Sequence, residues 1–371
     1  MACKIAYIKY RSNSYTNQKV SEVLKRSFSG CEVETIDVLA LLLKKMPHVV
    51  FLNVFLTLKT YGFSLLWHWR EFERRFLATP YIFRKIKSFL STYLSQQQFK
   101  ISFQIQSMFD ASSGQIPHFV YTDHTHLANL RYAGFNKKRL HVKEWIDLEK
   151  SIYQQATLNF TMSSHISHSI IDQYGVTPDK VVCVYGGSNV KADGFNASAK
   201  SYDKRNILFV GVDWERKGGP ELAEAFKKVL QVYPESRLTI VGASPELHIK
   251  NCEIIGRVPL SEVSKFYKNA SLFCLPTKVE PFGIAFIEAM SYGLPIIATR
   301  IGGVPDFVFP GKNGLLVDSG DVEALSLALM DLLKDANKRK DYGHASLEIV
   351  QDRYSWEKVG QRLKEHIERY L

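Results

Sequence analysis

Short apolar runs alternate regularly with helical segments along the second half of the chain. The apolar runs, rich in β-branched and aromatic residues, cover residues 206–212, 237–242, 253–255, 271–275, 295–299 and 315–317. Segments of helical composition separate them at residues 220–232, 261–268, 283–291 and 322–334. Strands joined through helices run parallel, because each crossover returns the chain to the same edge of the sheet. This half is therefore predicted to be a doubly wound α/β domain.

The first half has the same character, although its pattern is less regular. Strand-like runs occur at residues 4–10, 32–38, 119–122, 157–162 and 181–185. A chain of 371 residues also exceeds what one hydrophobic core usually organises. Residues 191–204 are poor in apolar side chains, so we predict a linker there, between a domain of residues 1–190 and one of residues 191–354. The predicted architecture is two Rossmann-like domains facing each other across a cleft lined by strand ends.

The charge of the chain is positive and unevenly distributed. It has 48 basic and 37 acidic residues, for a net charge of +11. Fourteen basic residues but only four acidic ones lie between Lys44 and Arg139. This excess favours anionic partners such as nucleotides, nucleic acid or anionic lipid. A solvated basic surface is the simpler interpretation and stays open.

Cysteine usage and the N-terminal sequence bear on the compartment. None of the five cysteines forms a C-x-x-C pair, and we predict buried free thiols in a reducing compartment at Cys3, Cys31, Cys183, Cys252 and Cys274. The chain enters a strand pattern directly, without a signal-peptide pattern, so cytoplasmic residence is expected. Residues 49–69 are apolar but interrupted by Asn53, Lys59 and His68, which predicts one or two amphipathic helices and not a membrane span.

Two groups of polar residues follow predicted strands in the second half. In the first, Arg216 and Lys217 precede Gly218 and the start of a helical segment, which suits phosphate oxygens. The alternative is an ordinary charged turn. In the second, Glu280 precedes a helix that begins near Gly283 and carries Glu288 in an apolar segment. A carboxylate there needs hydrogen-bond donors such as ribose hydroxyls, unless Glu288 points to solvent.

Three further segments end strands and are candidates for ligand contact. Two are glycine pairs, Gly302-Gly303 and Gly186-Gly187. The third contains Asp123, His124 and His126, side chains suited to binding hydroxyls or to acid–base chemistry. Their spacing also allows a metal site, but the sequence offers no further matched ligands, and a structural role is the third reading.

The order and spacing of these motifs resemble the family 4 retaining glycosyltransferases of the GT-B fold. The resemblance rests on the Glu280-x7-Glu288 pair, on residues 209–219 before it and on residues 302–306 after it. It covers nearly the whole second half, while the first half is similar only in general architecture. It implies a donor site for a nucleotide sugar in the second domain, an acceptor site in the first, and a helix at residues 355–371 that packs back on the first domain.

Individual roles follow from that resemblance. Glu280 would hold the sugar, Glu288 the ribose and Lys217 the diphosphate, while Phe282 and Gly283 would offer backbone amides. Asp123, His124 and His126 would line the sugar pocket. The remaining candidate donor-binding residues are Arg216, Gly218, Ile284, Arg257 and Val258, with phosphate or sugar contacts from Gly186, Gly187, Gly302 and Gly303.

The chain departs from the family pattern at two places. Val212 stands where an arginine is usual, so Arg216 would have to supply that charge, and residues 11–14 lack the glycine pair that many members place near the phosphates. The implied reaction is retaining hexosyl transfer from UDP- or GDP-sugar, in polysaccharide or glycolipid biosynthesis. It would need no metal ion or other cofactor, because cations stabilise the departing diphosphate.

Several alternatives remain open from sequence. The donor motifs also fit a nucleotide-sugar epimerase or a phosphorylase-like enzyme of the same fold. The basic first half suggests nucleic-acid binding, but recognisable binding motifs are absent, so no nucleic-acid partner is expected. Residues 49–94 either attach the protein to the inner face of an anionic membrane, with a glycan or lipid-linked acceptor, or cover the first sheet and form an acceptor groove.

Overall fold

The computed structural model describes residues 3–10, 15–190, 192, 195–196 and 200–371. The chain divides into two compact units, Met1–Tyr185 with Val359–Leu371, and Gly186–Lys358. The predicted first turn at residues 11–14 and the linker residues 191, 193–194 and 197–199 lie outside the described residues.

In the first unit the described residues form a parallel sheet of six strands in the order β2-β1-β3-β4-β5-β6. The strands are β1 (Cys3–Lys9), β2 (Cys31–Asp37), β3 (Ile101–Ile105), β4 (His118–Thr122), β5 (Leu158–Thr161) and β6 (Val181–Cys183). Sequence reasoning missed β3, because Ser102 and Gln104 interrupt its apolar pattern. Both side chains are buried and hydrogen-bonded: Ser102 Oγ lies 2.8 Å from His118 Nδ1, and Gln104 Oε1 accepts from the Ala111 amide.

Helices cover this sheet, and four of them lie between β2 and β3. The helices are α1 (Tyr15–Ser27), α2 (Val38–Lys45), α3 (Pro47–Tyr61), α4 (Trp69–Phe76), α5 (Pro80–Ser95), α6 (Lys143–Gln155) and α7 (Ser164–Tyr174). The helical character predicted for residues 49–69 is confirmed by α3 and a 3-10 helix at Phe63–Trp67. Among the described residues, no single helix is long and apolar enough to cross a membrane. Helices α2 and α3 together have the length and composition of a span, but they are bent by 106° relative to one another.

In the second unit the described residues also form a six-stranded parallel sheet, in the order β12-β11-β10-β7-β8-β9. All the predicted strands are present, as β7 (Asn206–Val210), β8 (Arg237–Val241), β9 (Cys252–Gly256), β10 (Leu272–Leu275), β11 (Ile296–Thr299) and β12 (Gly314–Val317). The helices are α8 (Gly219–Val232), α9 (Leu260–Asn269), α10 (Ile284–Ser291), α11 (Val322–Lys334), α12 (Ala336–Arg353) and α13 (Trp356–Ile367), the last continuing into the first unit. The predicted α/β class with two doubly wound sheets is confirmed.

The prediction of free thiols is wrong for two of the five cysteines. Cys3 and Cys31 form a disulfide, whereas Cys183, Cys252 and Cys274 remain thiols. The parallel register of β1 and β2 places Cys3 opposite Cys31, with their Cα atoms 4.5 Å apart. Such a pairing depends on strand register, which the spacing of the two cysteines in the sequence does not reveal.

Candidate functional site

The candidate site lies where the strand order of the second sheet reverses. The chain runs outward from β7 through β8 and β9, and then returns to β10 on the other side of β7. In open parallel sheets the loops on either side of such a reversal diverge and leave a crevice for ligands. The loop after β7 carries Lys217 and the loop after β10 carries Glu280, so two of the predicted motifs meet there.

Lys217 and Glu280 form an ion pair between Nζ and Oε2. Their side chains are only 13% and 8% exposed. Neither charge is stable there alone, because removing one partner leaves the other desolvated and uncompensated. The backbone holds the same two loops together, since the amide of Lys278 donates to the carbonyl of Arg216 at 2.8 Å. The structure thus joins two motifs that are 63 residues apart in the chain.

Arg216 also connects the two loops, but through other contacts. Its Nε donates to Asp213 Oδ2 at 3.1 Å, and its Nη1 donates to the Val279 carbonyl at 3.0 Å. Its side chain is 38% exposed. The guanidinium therefore lies beside the Lys217–Glu280 pair with part of its surface open to a ligand, while its position is fixed by both loops.

Gly218 permits the close approach of these loops. Its φ is +74°, and a Cβ atom added there would lie 1.9 Å from the Pro276 carbonyl oxygen. A side chain would therefore force the loop after β7 away from the loop after β10. Gly218 also precedes α8, so the approach fixes where that helix begins relative to Glu280.

The start of α10 faces the same loop. Gly283, the residue before the helix, has φ of +110°, and an added Cβ would lie 2.8 Å from Phe307 Cζ and 2.9 Å from Phe286 Cδ2. Phe282 is buried beside it, with its ring 6.4 Å from that of Phe307. The first amides of a helix, here beginning at Ile284, have no acceptor within the helix and favour anions. The predicted helix start at Gly283 is confirmed.

Glu288 points into the protein, which excludes a solvent-facing carboxylate. The residue is 5% exposed, and the hydroxyl of Tyr267 in α9 donates to its Oε2 at 2.9 Å. Burial raises the pKa of Glu288 from 4.5 to about 7, and the Tyr267 hydrogen bond partly offsets this shift. Sequence reasoning missed Tyr267, because a tyrosine on an amphipathic helix has no special pattern.

The Gly302-Gly303 turn after β11 is joined to the same loop. The amide of Gly303 donates to the carbonyl of Glu280 at 2.9 Å. Asp306, in the same turn, accepts at its carbonyl from the Tyr354 hydroxyl at 2.6 Å. The third predicted motif of the second half thus contributes to fixing the backbone of Glu280.

The other candidates of the second unit follow β9 or lie beside Trp356. Arg257, which is exposed, and Val258 follow β9, the edge strand two positions away from β7. The glycine pair Gly186-Gly187 packs against Trp356: an added Cβ on Gly187 would lie 2.6 Å from the indole ring, whose Nε1 donates to the Ser188 carbonyl at 2.9 Å. The structure thus gives Gly187 a packing role.

In the first unit, Asp123 and His124 follow β4. His124 Nε2 lies 2.9 Å from the Asn129 side-chain amide, and its Nδ1 is buried without a hydrogen-bond partner among the described residues. Burial, together with the neighbouring His165, lowers the pKa of His124 to about 4. The imidazole is therefore neutral near pH 7; Nε2 accepts from the Asn129 amide, so Nδ1 carries the ring proton.

His126 is engaged in packing. Its ring stacks on that of His141 with centroids 4.0 Å apart, and its Nε2 accepts from the His141 amide at 2.8 Å. Burial lowers its pKa to about 4. These contacts give His126 a part in holding the loop after β4.

A buried carboxylate that sequence reasoning missed supports the same loop. Glu149 in α6 is 1% exposed and accepts from the Ser107 hydroxyl at 2.8 Å, the His126 amide at 3.2 Å and the Tyr174 hydroxyl. Burial raises the pKa of Glu149 to about 7, while these donors act in the opposite direction. No group of three or more His, Cys, Asp or Glu in the described part of the chain is arranged to hold a metal ion.

Comparison with known sequences finds similarity over the second unit. The family model for glycosyl transferases group 1 matches residues 191–348, less than half of the chain. The sulfoquinovosyl transferase SQD2 of Arabidopsis thaliana is 27% identical over 242 residues, which are 60% of this chain and 46% of that protein. A GDP-mannose-dependent alpha-(1-6)-phosphatidylinositol monomannoside mannosyltransferase of Mycolicibacterium smegmatis is 32% identical over 168 residues, 40% of this chain and 44% of its own. These matches span less than half the length of either relative.

Solved structures extend the similarity of fold to the whole chain. A sucrose-phosphate synthase from Thermosynechococcus elongatus matches 99% of this chain and 98% of its own, with a TM-score of 0.67 and 18% identity. HepE of Anabaena, solved with UDP and glucose, matches 99% of both chains with a TM-score of 0.67 and 14% identity. The predicted GT-B glycosyltransferase fold is thereby confirmed, and the resemblance to glycosyltransferases is confirmed at the level of group 1.

Proposed function

We propose that the protein is a retaining glycosyltransferase that moves a hexose from a nucleoside diphosphate sugar to a hydroxyl group, without a metal ion. The observation that carries this proposal is the buried Lys217–Glu280 ion pair at the strand-order reversal, beside the start of α10. A cation and a carboxylate held together in a crevice offer one partner for a diphosphate and one for sugar hydroxyls.

In this proposal, donor binding breaks the Lys217–Glu280 ion pair, and each of the two side chains binds a part of the donor instead. The diphosphate takes over Lys217 Nζ, and Glu280 turns to the hydroxyl groups of the sugar. Arg216 and the first amides of α10 add positive charge around the phosphates. Glu288 accepts the ribose hydroxyls while keeping the hydrogen bond from Tyr267.

The transfer step follows from these positions. The bond between the anomeric carbon and the diphosphate oxygen breaks while the acceptor oxygen bonds to the same carbon on the same face. The acceptor proton passes to the departing diphosphate, so atoms and charges balance. Lys217 and Arg216 stabilise the charge that develops on the leaving group, which is the work that a divalent metal would otherwise do.

The acceptor side is proposed to lie in the first unit, at the loop after β4. Asp123 and His124 contact hydroxyls there, whereas His126, engaged with His141, positions the loop. A relative named as a GDP-mannose-dependent phosphatidylinositol monomannoside mannosyltransferase supports a lipid-linked acceptor and a GDP-sugar donor. A fold neighbour solved with UDP and glucose supports a UDP-sugar as the other candidate.

A thermal-shift experiment with UDP, GDP and ADP and their sugars, with and without EDTA, tests the donor site. A ligand at about 100 times its Kd should add about 2.7 kcal/mol of stability, and EDTA should not change this. Glu288→Gln should lose most of the shift. Glu262→Gln, the same change on an exposed carboxylate of α9, is the matched control and should keep it.

Two results would contradict the proposal. One is the absence of a shift with every nucleotide, and the other is equal loss in the two variants. Once a donor is identified, the anomeric proton coupling of the product, measured by NMR, tests retention; an inverted product would overturn the proposed mechanism.

A further inference from the structure

Helix α3 buries two polar side chains beside Val49 and Leu58, and it exposes aromatic side chains to solvent. Asn53 and Thr57 are fully buried, whereas Phe51 is 81% and Phe55 is 55% exposed. A helix on a protein surface normally has the opposite arrangement, because burying apolar side chains drives folding. The outward face of α3 therefore requires an explanation.

Hydrogen bonds hold α3 in this rotation. Asn53 Nδ2 donates to the Phe76 carbonyl at 2.7 Å, and its Oδ1 accepts from the Thr79 hydroxyl at the start of α5. Thr57 donates to the carbonyl of Asn53 at 2.7 Å. Turning Phe51 and Phe55 inward would remove the hydrogen-bond partners of these polar groups. Burying or exposing them without those partners would lower the stability of the fold. The outward aromatic face is thus built into the fold.

The apolar exposure continues beyond α3. Among the described residues, nine of the fourteen exposed large hydrophobic side chains fall between Leu43 and Trp69. We define the aromatic face as the exposed Phe51, Leu52, Phe55, Phe63, Trp67 and Trp69. Exposed apolar side chains concentrated in one segment indicate an interaction site.

The charge around the aromatic face has a single sign. The sequence contains no acidic residue between Asp37 and Glu71. Lys44, Lys45 and Lys59 in the same stretch are all exposed. Two copies of this surface would repel one another, and an anionic partner would be attracted.

We propose that the aromatic face docks the protein on the surface of an anionic lipid bilayer. Exposed tryptophans beside lysines suit the boundary between headgroups and acyl chains, where an amphipathic ring meets both water and hydrocarbon. The 106° bend between α2 and α3 lets both helices contact the bilayer surface. Neither helix needs to cross the bilayer.

Docking would also orient the loop proposed to receive the acceptor. Arg75 of α4 donates to the Arg139 carbonyl at 3.0 Å and contacts His141 Nδ1 at 2.8 Å. His141 in turn stacks on His126, in the loop after β4. This step rests on the proposed function and favours a lipid-linked acceptor, whereas docking itself does not require transferase activity.

Vesicle flotation of the full chain tests the docking. Vesicles of phosphatidylcholine with about one-third phosphatidylglycerol should carry the protein upward at about 0.1 M salt, and far less of it at about 1 M, because salt screens the lysines. Phe51→Ser/Phe55→Ser and Lys44→Glu/Lys45→Glu should each weaken binding at least about tenfold. Val232→Ser/Leu327→Ser, which removes exposed apolar side chains of the second unit, should bind like the wild type.

Tryptophan fluorescence gives an independent readout. The emission should shift to the blue on binding, and Trp67→Phe/Trp69→Phe should lose that shift while still floating. Thermal melts establish that each variant is folded, and the nucleotide-induced shift of the same samples reports separately on the donor site.

Docking is overturned if the folded wild type does not float with anionic vesicles, or if the control variant loses binding as much as Phe51→Ser/Phe55→Ser. It is also overturned if light scattering shows a dimer that Phe51→Ser/Phe55→Ser dissociates and the control variant does not. The aromatic face would then bind a second copy of the chain.

Discussion

Tyr267 donates its hydroxyl to the carboxylate of Glu288 at 2.9 Å, and the two side chains meet in the interior of the second unit. The phenol has no net charge, so it satisfies one oxygen of Glu288 but does not compensate for lost hydration. Burial therefore remains the larger effect and raises the pKa of Glu288 from 4.5 to about 7. This shift makes both stability and ligand binding depend on pH in a defined direction.

The first prediction concerns stability. Between pH 4.5 and about 7 the folded protein keeps a proton on Glu288 that the unfolded chain releases, so raising the pH through this window lowers the free energy of unfolding. The loss for this residue should be at most about 3 kcal/mol and complete above pH 7. Glu288→Gln should therefore gain stability relative to the wild type as the pH rises, as measured by denaturant titration.

The comparison with a variant matters because buried histidines act in the opposite direction. Burial lowers the pKa of His118 from 6.5 to about 4, so the unfolded chain binds the extra proton and stability falls on acidification. Subtracting the two unfolding curves removes this contribution. A difference that does not change with pH would contradict the raised pKa of Glu288.

The second prediction concerns donor affinity. A ribose donates hydrogen bonds more strongly to an ionised carboxylate than to a carboxylic acid, so binding should favour ionised Glu288. The Kd of the nucleotide sugar should fall up to about tenfold between about pH 6 and pH 7 and level off at higher pH. Calorimetry with Glu288→Gln should show weaker and nearly pH-independent binding. An unchanged pH profile in that variant would separate Glu288 from the ribose.

The third prediction concerns Gly283. Replacement by alanine should destabilise the protein by about 1–3 kcal/mol through its φ of +110°, and further through collision with Phe307 and Phe286. Gly320→Ala is a matched control, because Gly320 has φ of +88° with nothing within 4 Å of an added Cβ. The excess loss in Gly283→Ala, measured by denaturant titration, isolates the collision. Equal losses would contradict the close packing at the start of α10.

The second sheet could be predicted from the sequence because its strands are short apolar runs punctuated by glycine and charge. Strand β3 could not be predicted, since Ser102 and Gln104 replace apolar residues there. Their hydrogen bonds to His118 and Ala111 are not indicated by the local pattern. The same limitation hid the Cys3–Cys31 disulfide, which depends on the register of β1 against β2. Local patterns report periodicity, whereas both of these features depend on pairing.

The residues of the candidate site also divide into those that local patterns indicate and those that depend on distant contacts. Lys217, Glu280 and Gly283 could be found because they follow strands at characteristic spacing. Tyr267 and Glu149 could not be found in this way. Each lies on an amphipathic helix, and the helical pattern does not indicate the hydrogen bonds that their side chains make. The roles of His126 and Gly187 in packing likewise depend on partners, His141 and Trp356, that no local pattern indicates.

The fourth prediction concerns the disulfide. Alkylation of the unfolded protein without reductant should label three cysteines, and all five after reduction. Cys3→Ser/Cys31→Ser should lower stability by about 2–4 kcal/mol, because the crosslink restricts the unfolded chain. Mass spectrometry of the alkylated protein gives the count, and five labelled cysteines without reductant would contradict the disulfide. Cys252→Ser, at a free cysteine, is the control for the loss of a thiol.

The last prediction concerns the Lys217–Glu280 pair. Lys217→Met leaves the carboxylate of Glu280 buried without its partner and should cost about 3 kcal/mol of stability, while Lys217→Met/Glu280→Gln, which leaves no buried charge, should cost less than the sum of the single changes. Binding should separate the two roles. Lys217→Met should weaken the nucleoside diphosphate and its sugar alike, by about 10- to 100-fold, because both carry the phosphates.

Glu280→Gln should behave differently, because it removes the competitor of the diphosphate for Lys217. Its affinity for the nucleoside diphosphate alone should be unchanged or higher, while the added affinity contributed by the sugar should fall. Calorimetry with both ligands measures this difference directly. If Glu280→Gln weakened the two ligands equally, Glu280 would act only by positioning Lys217, and the exchange of partners proposed for donor binding would be wrong.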